Sequence, residues 1–229
     1  CLDCELSDIS VRGVDTDQSP YDTGSYASST TYVTGGAVVK TCAALRQMIL
    51  EEGARLLGVK AEEAEFDGER VSVPGTDRSV SRAEIGWASF EGHSRYLSAC
   101  LSHSSPVSPP PFMAGMAEID LDPETGKVQV VDYVAVVDCG TVINTNLARV
   151  QTEGGIVQAI GMTLYEDVQY DEAGRMVNDS FLQYKIPTRL EAGSIHVEFA
   201  PSYEPTGPFG AKSIGELVIN TPAPAIAEA

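Results

Sequence analysis

The side chains of this 229-residue sequence best placed to do chemistry are a carboxylate, a helical pair of amides and a run of hydroxyls. Glu216 ends the run GPFGAKSIGE (207–216), in which Pro208 fixes one backbone angle while Gly207, Gly210 and Gly215 permit unusual ones. The result is a shaped turn with Lys212 and Glu216 near its end. The apolar LVI follows, where partial desolvation would favour Glu216 as a proton acceptor; the plainer reading is a solvated turn carboxylate. Gln151, Gly155, Gln158 and Met162 fall on one helical face, suited to close approach by a polar, planar ligand, although tight helix packing is the commoner reason for Gly154, Gly155 and Gly161. SYASSTT (25–31) offers hydroxyls and backbone N–H groups just ahead of a helix starting near Gly35, where aligned amides attract anions. Its alternative is plain N-capping by Thr34 or a hydroxyl-rich surface turn.

Composition narrows the partners. With 33 acidic against 15 basic residues the formal net charge is -18, so a phosphate backbone or an anionic membrane would be repelled. No stretch approaches the ~20 apolar residues that span a bilayer, and the first thirty residues lack a basic start with an apolar run. Five cysteines, Cys1, Cys4, Cys42, Cys100 and Cys139, make an odd set with one close pair, which argues against a disulfide framework and for a reducing cytoplasm. Cys1 and Cys4 could supply half a zinc site, but no second pair follows at ligand spacing, and a frayed terminus is the plain reading.

The elements that must hold these residues are readable in outline. Val38, Cys42, Leu45, Met48, Ile49 and Leu56 recur as one buried stripe, predicting a helix over 36–57 that ends near Gly58. Asp67-Gly68 between two alternating segments predicts a hairpin over 64–74, and Ser81–Trp87 a short helix. The polar stretch 92–111, ending in three prolines, reads as an extended connection. Beyond it, MAGMAEIDLD and KVQVVDYVAVVD, joined by Pro123–Gly126, predict an antiparallel pair. Val150, Val157, Ile160 and Leu164 predict a helix over 147–165, followed by strands near 167–171 and 195–200. Thr221 and Pro222 look like the N-cap and first-turn proline of a last helix. The fold class is α+β, with mixed sheets and packed helices.

In their order and spacing, DTGSYASSTTYVTGGAV, VQTEGGIVQAIG, FLQYKIPT and GPFGAKSIGE resemble the molybdopterin-binding subunit of the xanthine dehydrogenase and aldehyde oxidase family, from about Asp15 to Ala229. The resemblance implies a weakly matched segment 1–14, a first cofactor-binding subdomain over 15–108 and a second over 109–229. It places the family's active-site base on Glu216 and its pterin-contacting glutamine on Gln151. It puts the stretch facing the metal's ligands and the pterin phosphate on Ala27, Ser28, Ser29, Thr30 and Thr31, with Ala27 nearest molybdenum. No side chain is expected to ligate the metal directly.

The cofactor implied is molybdopterin with molybdenum, alone or as a dinucleotide, with FAD and [2Fe-2S] centres on other domains or subunits. The activity implied is hydroxylation of a purine, another N-heterocycle or an aldehyde, with water as oxygen source; reductive chemistry on an aromatic thioester is a less favoured branch. Relatives often carry arginine where Ser29 stands, and VDVGKAINP where this chain has VDCGTVINT. The family's glycine-glutamine loop, FGGK-like segment and substrate-orienting arginine have no counterpart before Cys1, and the last helix stops early at Ala229. The expected partner is therefore the remainder of the molybdenum subunit, the isolated chain is expected to be inactive, and the rival reading is a non-catalytic fragment or assembly subunit.

Overall fold

In a computed structural model, residues 1–13, 15–93, 96–105 and 107–229 are described, and they divide into two units. The first comprises Cys1–Thr23 and Val33–Ser105, the second Gly24–Tyr32 and Pro106–Ala229. The hydroxyl loop at 25–31 thus packs with the later part of the sequence. Val14, and Ser94, Arg95 and Pro106 of the connection expected over 92–111, lie outside the described residues; 96–105 and 107–111 form neither helix nor strand.

The first unit is built on α1 (Gly35–Leu57). Its end is a left-handed Gly58, whose N–H reaches the Arg55 carbonyl at 3.1 Å while the Val59 N–H reaches that of Ala54 at 3.0 Å, satisfying carbonyls the helix leaves open. The inward face is Ile49 and Ala54 with Leu45, Leu50 and Leu57, so Val38 and Leu56, expected in the buried stripe, are exposed instead. Phe66, Val71 and Ile85 complete this core. The hairpin β1 (Glu65–Phe66) and β2 (Arg70–Ser72) turns at Asp67-Gly68 as expected. A third strand, β3 (Ser79–Ser81), pairs with β2 and leads directly into α2 (Arg82–His93), which runs longer than the helix expected at Ser81–Trp87. Ser81 and Glu84 cap it reciprocally: the Glu84 carboxylate accepts from the Ser81 N–H at 2.8 Å, and the Ser81 hydroxyl accepts from the Glu84 N–H at 3.3 Å.

The frayed N-terminus expected around Cys1 and Cys4 is corrected. Asp3 pairs with Arg46 at 2.9 Å and Asp8 with Arg82 at 2.7 Å, and a Cβ on Gly68 would lie 1.9 Å from the Asp3 carbonyl oxygen. Glycine is required there because the terminal segment lies against the hairpin turn. Among the described residues no group of three or more His, Cys, Asp or Glu side chains is placed to hold a metal.

The second unit is a three-stranded sheet in the order β4 (Phe112–Asp122), β5 (Lys127–Asp138), β6 (Ser194–Phe199). β4 and β5 are antiparallel with a register shift at Glu118/Ile119, where Glu118 faces Asp132 but Ile119 faces Val130. The extra residue, Val131, is exposed, and this bulge explains why the inward positions of β5 are Val130 and then Tyr133, Ala135 and Val137. Between β5 and the parallel β6 runs α3 (Thr145–Leu164), capped by the Asn144 side chain, which accepts from the Leu147 N–H at 3.0 Å. Its Ile156 and Ile160 pack on Tyr133, Val130 and Val197. Val150, one of the apolar positions that marked the helix, is 65% exposed, because Gly155 turns toward Val218 and sets the buried face.

Two further expectations are corrected. Residues 167–171 form no strand: Tyr170 makes one isolated bridge to Met176 across a turn in which the Asp171 carboxylate accepts from Ala173 and Arg175 N–H groups, each at 2.9 Å. Thr221 precedes α4 (Pro222–Glu228) as expected but does not cap it, since its hydroxyl is engaged with that of Tyr133 at 2.8 Å. The fold is α+β with mixed sheets and packed helices. No helix among the described residues is long and apolar enough to cross a membrane.

Candidate functional site

The end of β5 and the turn at 207–216 are sewn together. The Gly210 carbonyl accepts from the N–H groups of Thr141 at 2.8 Å and Glu204 at 3.0 Å, and the Lys212 N–H donates to the Cys139 carbonyl at 2.7 Å. Lys212 Nζ then donates to Asp138 Oδ2 at 2.7 Å, both side chains being largely buried. Asp138 Oδ1 also accepts from the Ser202 hydroxyl and, at 3.1 Å, from the Gly140 N–H. Burial alone would push the Asp138 carboxyl up, but Lys212, Ser202 and Gly140 together outweigh it and hold the carboxyl below its usual range. Burial and the neighbouring Asp138 charge push the Cys139 thiol the other way, so it stays a protonated packing residue.

From Lys212 the turn runs on to Glu216, where the hydroxyl loop meets it. Ala27 and Ser28 both hold positive φ, 50° and 62°, a left-handed conformation uncommon outside glycine. That conformation presents the Ser28 hydroxyl to Glu216 twice: it accepts from the Glu216 N–H at 2.6 Å and donates to Glu216 Oε2 at 3.2 Å. From α3, Gln151 Nε2 donates to the Gly215 carbonyl at 2.9 Å. Three segments far apart in sequence therefore converge on Glu216.

They border a cleft of about 580 Å3 lined by Ser25, Ser28, Thr30, Thr31, Gln151, Lys212 and Glu216, with Cys139, Thr141 and Asn144 at the end of β5 and the start of α3. Lys212 is the one cation among the lining residues and Glu216 the one acid. Of the residues expected here, Ser28, Thr30, Thr31, Gln151 and Glu216 line the cleft, whereas Ala27 and Ser29 do not. Gly155 is buried against Val218, in keeping with the tight helix packing that was the commoner reason for a glycine there, and Gln158 and Met162 are exposed outside the cleft. The desolvation expected of Glu216 is absent: Leu217 and Val218 turn into the core while Glu216 stays exposed.

Sequence reasoning missed Asp138, Ser202 and the lacing of the turn to β5. The only available signal was a lysine inside a glycine-rich turn, which needs a counter-ion if it is to be buried.

The sequence matches the family described as molybdopterin cofactor-binding domain over residues 1–192. It is 34% identical over 240 residues to a probable hypoxanthine oxidase, XdhD, of Escherichia coli K12, covering 100% of this chain and 24% of that protein. It is 29% identical to the carbon monoxide dehydrogenase large chain of Afipia carboxidovorans, covering 94% of this chain and 27% of the other. Among solved structures, quinoline 2-oxidoreductase from Pseudomonas putida 86 superposes with a TM-score of 0.82 at 28% identity, over 93% of this chain and 28% of that one. The Cu,Mo-CO dehydrogenase in its carbon-monoxide-reduced state does so with a TM-score of 0.82 at 27% identity, over 93% and 28%. The chain spans about a quarter of the length of the relatives it matches.

Proposed function

The chain belongs to the molybdopterin cofactor-binding family of xanthine-dehydrogenase-type molybdenum subunits, and from that premise we propose that it forms one wall of a molybdenum hydroxylase active site with Glu216 as its base. The observation that carries this reading is the convergence of Ser28, Gln151 and the 207–216 turn on one carboxylate beside a cleft.

The donor set fits the cofactor. Among the described residues the cleft offers hydroxyls, the amides of Gln151 and Asn144 and backbone groups but no Cys/His/carboxylate cluster, which suits a metal arriving on its own organic ligand rather than a bare ion. Thr30 and Thr31 would meet the pterin and its phosphate from the loop and Gln151 from α3, while the Ser28 hydroxyl is taken up by Glu216. The bound centre supplies the two-electron chemistry by which an electron-poor carbon gains an oxygen from water.

The chain's own contribution is proton transfer and orientation. Glu216, exposed to the cleft and unpaired with any cation there, is free to accept a proton at a carboxylate oxygen. Lys212 does not compete for it, because its ammonium is held by Asp138. Gln151 ties the Gly215 carbonyl back to α3, so the carboxylate enters the cleft from a fixed turn.

The substrate class proposed is a purine, another N-heterocycle or an aldehyde. The proposed setting is a cytoplasmic complex with FAD and [2Fe-2S] domains or subunits and with the rest of the molybdenum subunit. The test is turnover per bound molybdenum in the complete enzyme carrying Glu216→Gln, offered hypoxanthine, quinoline and benzaldehyde. Turnover should fall by ~10²–10⁴-fold with molybdenum retained. A natural complex without molybdenum would instead favour a non-catalytic assembly subunit.

A further inference from the structure

We propose that Ser28 is a positioning residue for Glu216: its one hydroxyl fixes both the backbone and the carboxylate of the base, an inference that rests on reading Glu216 as that base. Three observations converge on it. The hydroxyl accepts from the Glu216 N–H at 2.6 Å and donates to Glu216 Oε2 at 3.2 Å, so rotation of the side chain away from the cleft breaks a bond whose other end anchors its own main chain. Ser28 and its neighbour Ala27 both occupy left-handed backbone, which a non-glycine residue adopts at a cost and keeps where surrounding structure enforces it. Finally, a Cβ on Gly215 would lie 3.1 Å from the Ser28 hydroxyl oxygen, so the residue before the base is bare where the serine presses against it.

The chemistry of this clamp is specific. A serine hydroxyl has one proton and two acceptor sites, and here the proton goes to the carboxylate while a lone pair takes the amide. The carboxylate keeps its other oxygen, Oε1, outside the clamp. Ser28 thus holds Oε2 as the fixed end and leaves Oε1 as the proton-accepting end. The cost of the strained loop is consistent with orientation, since a hydroxyl needed only for solubility or capping could sit on relaxed backbone.

The experiment is a double-mutant cycle in the complete enzyme, using Ser28→Ala, Ser28→Gly, Glu216→Gln and the Ser28→Gly/Glu216→Gln pair. Ser28→Gly suits the left-handed backbone and guards against misfolding of the alanine variant. Molybdenum content, kcat and KM would be measured with whichever of hypoxanthine, quinoline or benzaldehyde the wild type turns over fastest, together with a crystal structure of the glycine variant.

The expected result is a kcat per molybdenum lowered about ten- to a hundredfold by either Ser28 change. KM and molybdenum content should hold, the Glu216 carboxylate should be displaced in the crystal, and no further loss should appear when Ser28→Gly is added to Glu216→Gln. Ser28 variants within twofold of wild type beside an inactive Glu216→Gln would overturn the positioning role and leave the base intact. Activity lost in proportion to molybdenum, or losses that multiply in the pair, would equally overturn it, because Ser28 would then act on the cofactor. An active Glu216→Gln enzyme removes the base itself, and the clamp with it.

Discussion

The turn at Asp67–Glu69 is fastened mostly by its own side chain, the turn at Gly207–Glu216 mostly by groups from elsewhere in the second unit. In the first, the Asp67 carboxylate accepts the N–H groups of Glu69 at 2.9 Å and Arg70 at 2.8 Å, so the turn closes on its own side chain, and Arg82 adds distant bonds, to the Gly68 carbonyl at 2.9 Å and the Glu69 carbonyl at 2.7 Å. Those two N–H groups, Arg70 first, are what hold the Asp67 carboxyl below its usual range. In the second, local backbone bonds such as Glu204 N–H to the Gly210 carbonyl close the turn, but Asp138, Cys139, Thr141, Gln151 and Ser28, none of them near in sequence, fix its place. A turn that only reverses the chain can be local. One that must aim a carboxylate has to be fixed from several sides, and the fixing groups arrive by tertiary folding.

The contrast breaks first at the base. Glu216→Gln should cost ~10²–10⁴-fold in turnover per molybdenum while leaving unfolding unchanged, because the amide keeps the shape and the Ser28 contact but not the proton-accepting role. A variant retaining more than about a tenth of wild-type turnover would leave the second turn with no chemical purpose.

Next comes the pair that fastens the turn. Asp138→Asn or Lys212→Met alone should destabilise the protein by about 3 kcal/mol, since either leaves a largely buried partner uncompensated. The two together should recover much of that. The pH dependence has a definite sign. The Asp138 carboxyl is held below its usual range, so its contribution is complete above the ordinary carboxylate range of about 4. It is lost as pH falls through the depressed folded value. Urea midpoints measured across that acid window should show a slope in the wild type that Asp138→Asn flattens; equal slopes would mean the pair contributes nothing to fastening.

A smaller effect separates two adjacent glycines of α3. A Cβ at Gly155 would sit 2.2 Å from Val218, just past the Glu216 turn, whereas one at Gly154 meets nothing within 4 Å. Gly155→Ala should therefore cost about 1–3 kcal/mol through overpacking, and Gly154→Ala should gain up to about 1 kcal/mol by helix propensity. Thermal unfolding of both reads the difference. The same order in both variants would mean that α3 does not press on the turn's downstream residues.

The same local-versus-distant divide explains what the sequence revealed. α1, the β4–β5 hairpin, α3 and the Asp67-Gly68 turn carry their signals within one window, as periodicity, alternation or turn chemistry, and all four stand where they were expected. β3 did not announce itself, because Ser79, Val80 and Ser81 alternate over too few residues to mark a strand and become one by pairing with β2. The strand expected near 167–171 failed for the converse reason: its β-prone residues meet only the short return across one turn, which Asp171 closes, and gain a single bridge from Tyr170 to Met176. At the site, resemblance pointed to Glu216, Gln151 and the 25–31 loop, and these segments do border one cleft. Asp138 was not legible, since nothing near it in sequence marks it as the counter-ion of Lys212. Packing was the favoured reason for Gly155 and Gly154 alike, yet only Gly155 meets a neighbour, Val218, because which side of α3 is covered is settled by tertiary folding.

The smallest effect tests the other side of the contrast, the self-contained turn. Asp67→Ala removes the acceptor of two backbone N–H groups at an exposed position, so water can replace it and the loss should be about 1 kcal/mol, as for a removed helix cap. Gly68, which the Asp3 carbonyl requires to be bare, stays in place, so the turn's path should survive. Turnover per molybdenum should be unchanged, because the turn belongs to the first unit and every residue lining the cleft to the second. Urea denaturation and turnover measured on the same preparation decide it. A cost well above about 2 kcal/mol would mean that the turn is not fastened locally but through the terminal segment lying on Gly68, with Asp3–Arg46 as its real anchor. Lowered turnover at full molybdenum content would mean that the fastening of this turn is felt at Glu216, and the division between a turn that reverses the chain and a turn that aims a base would no longer hold.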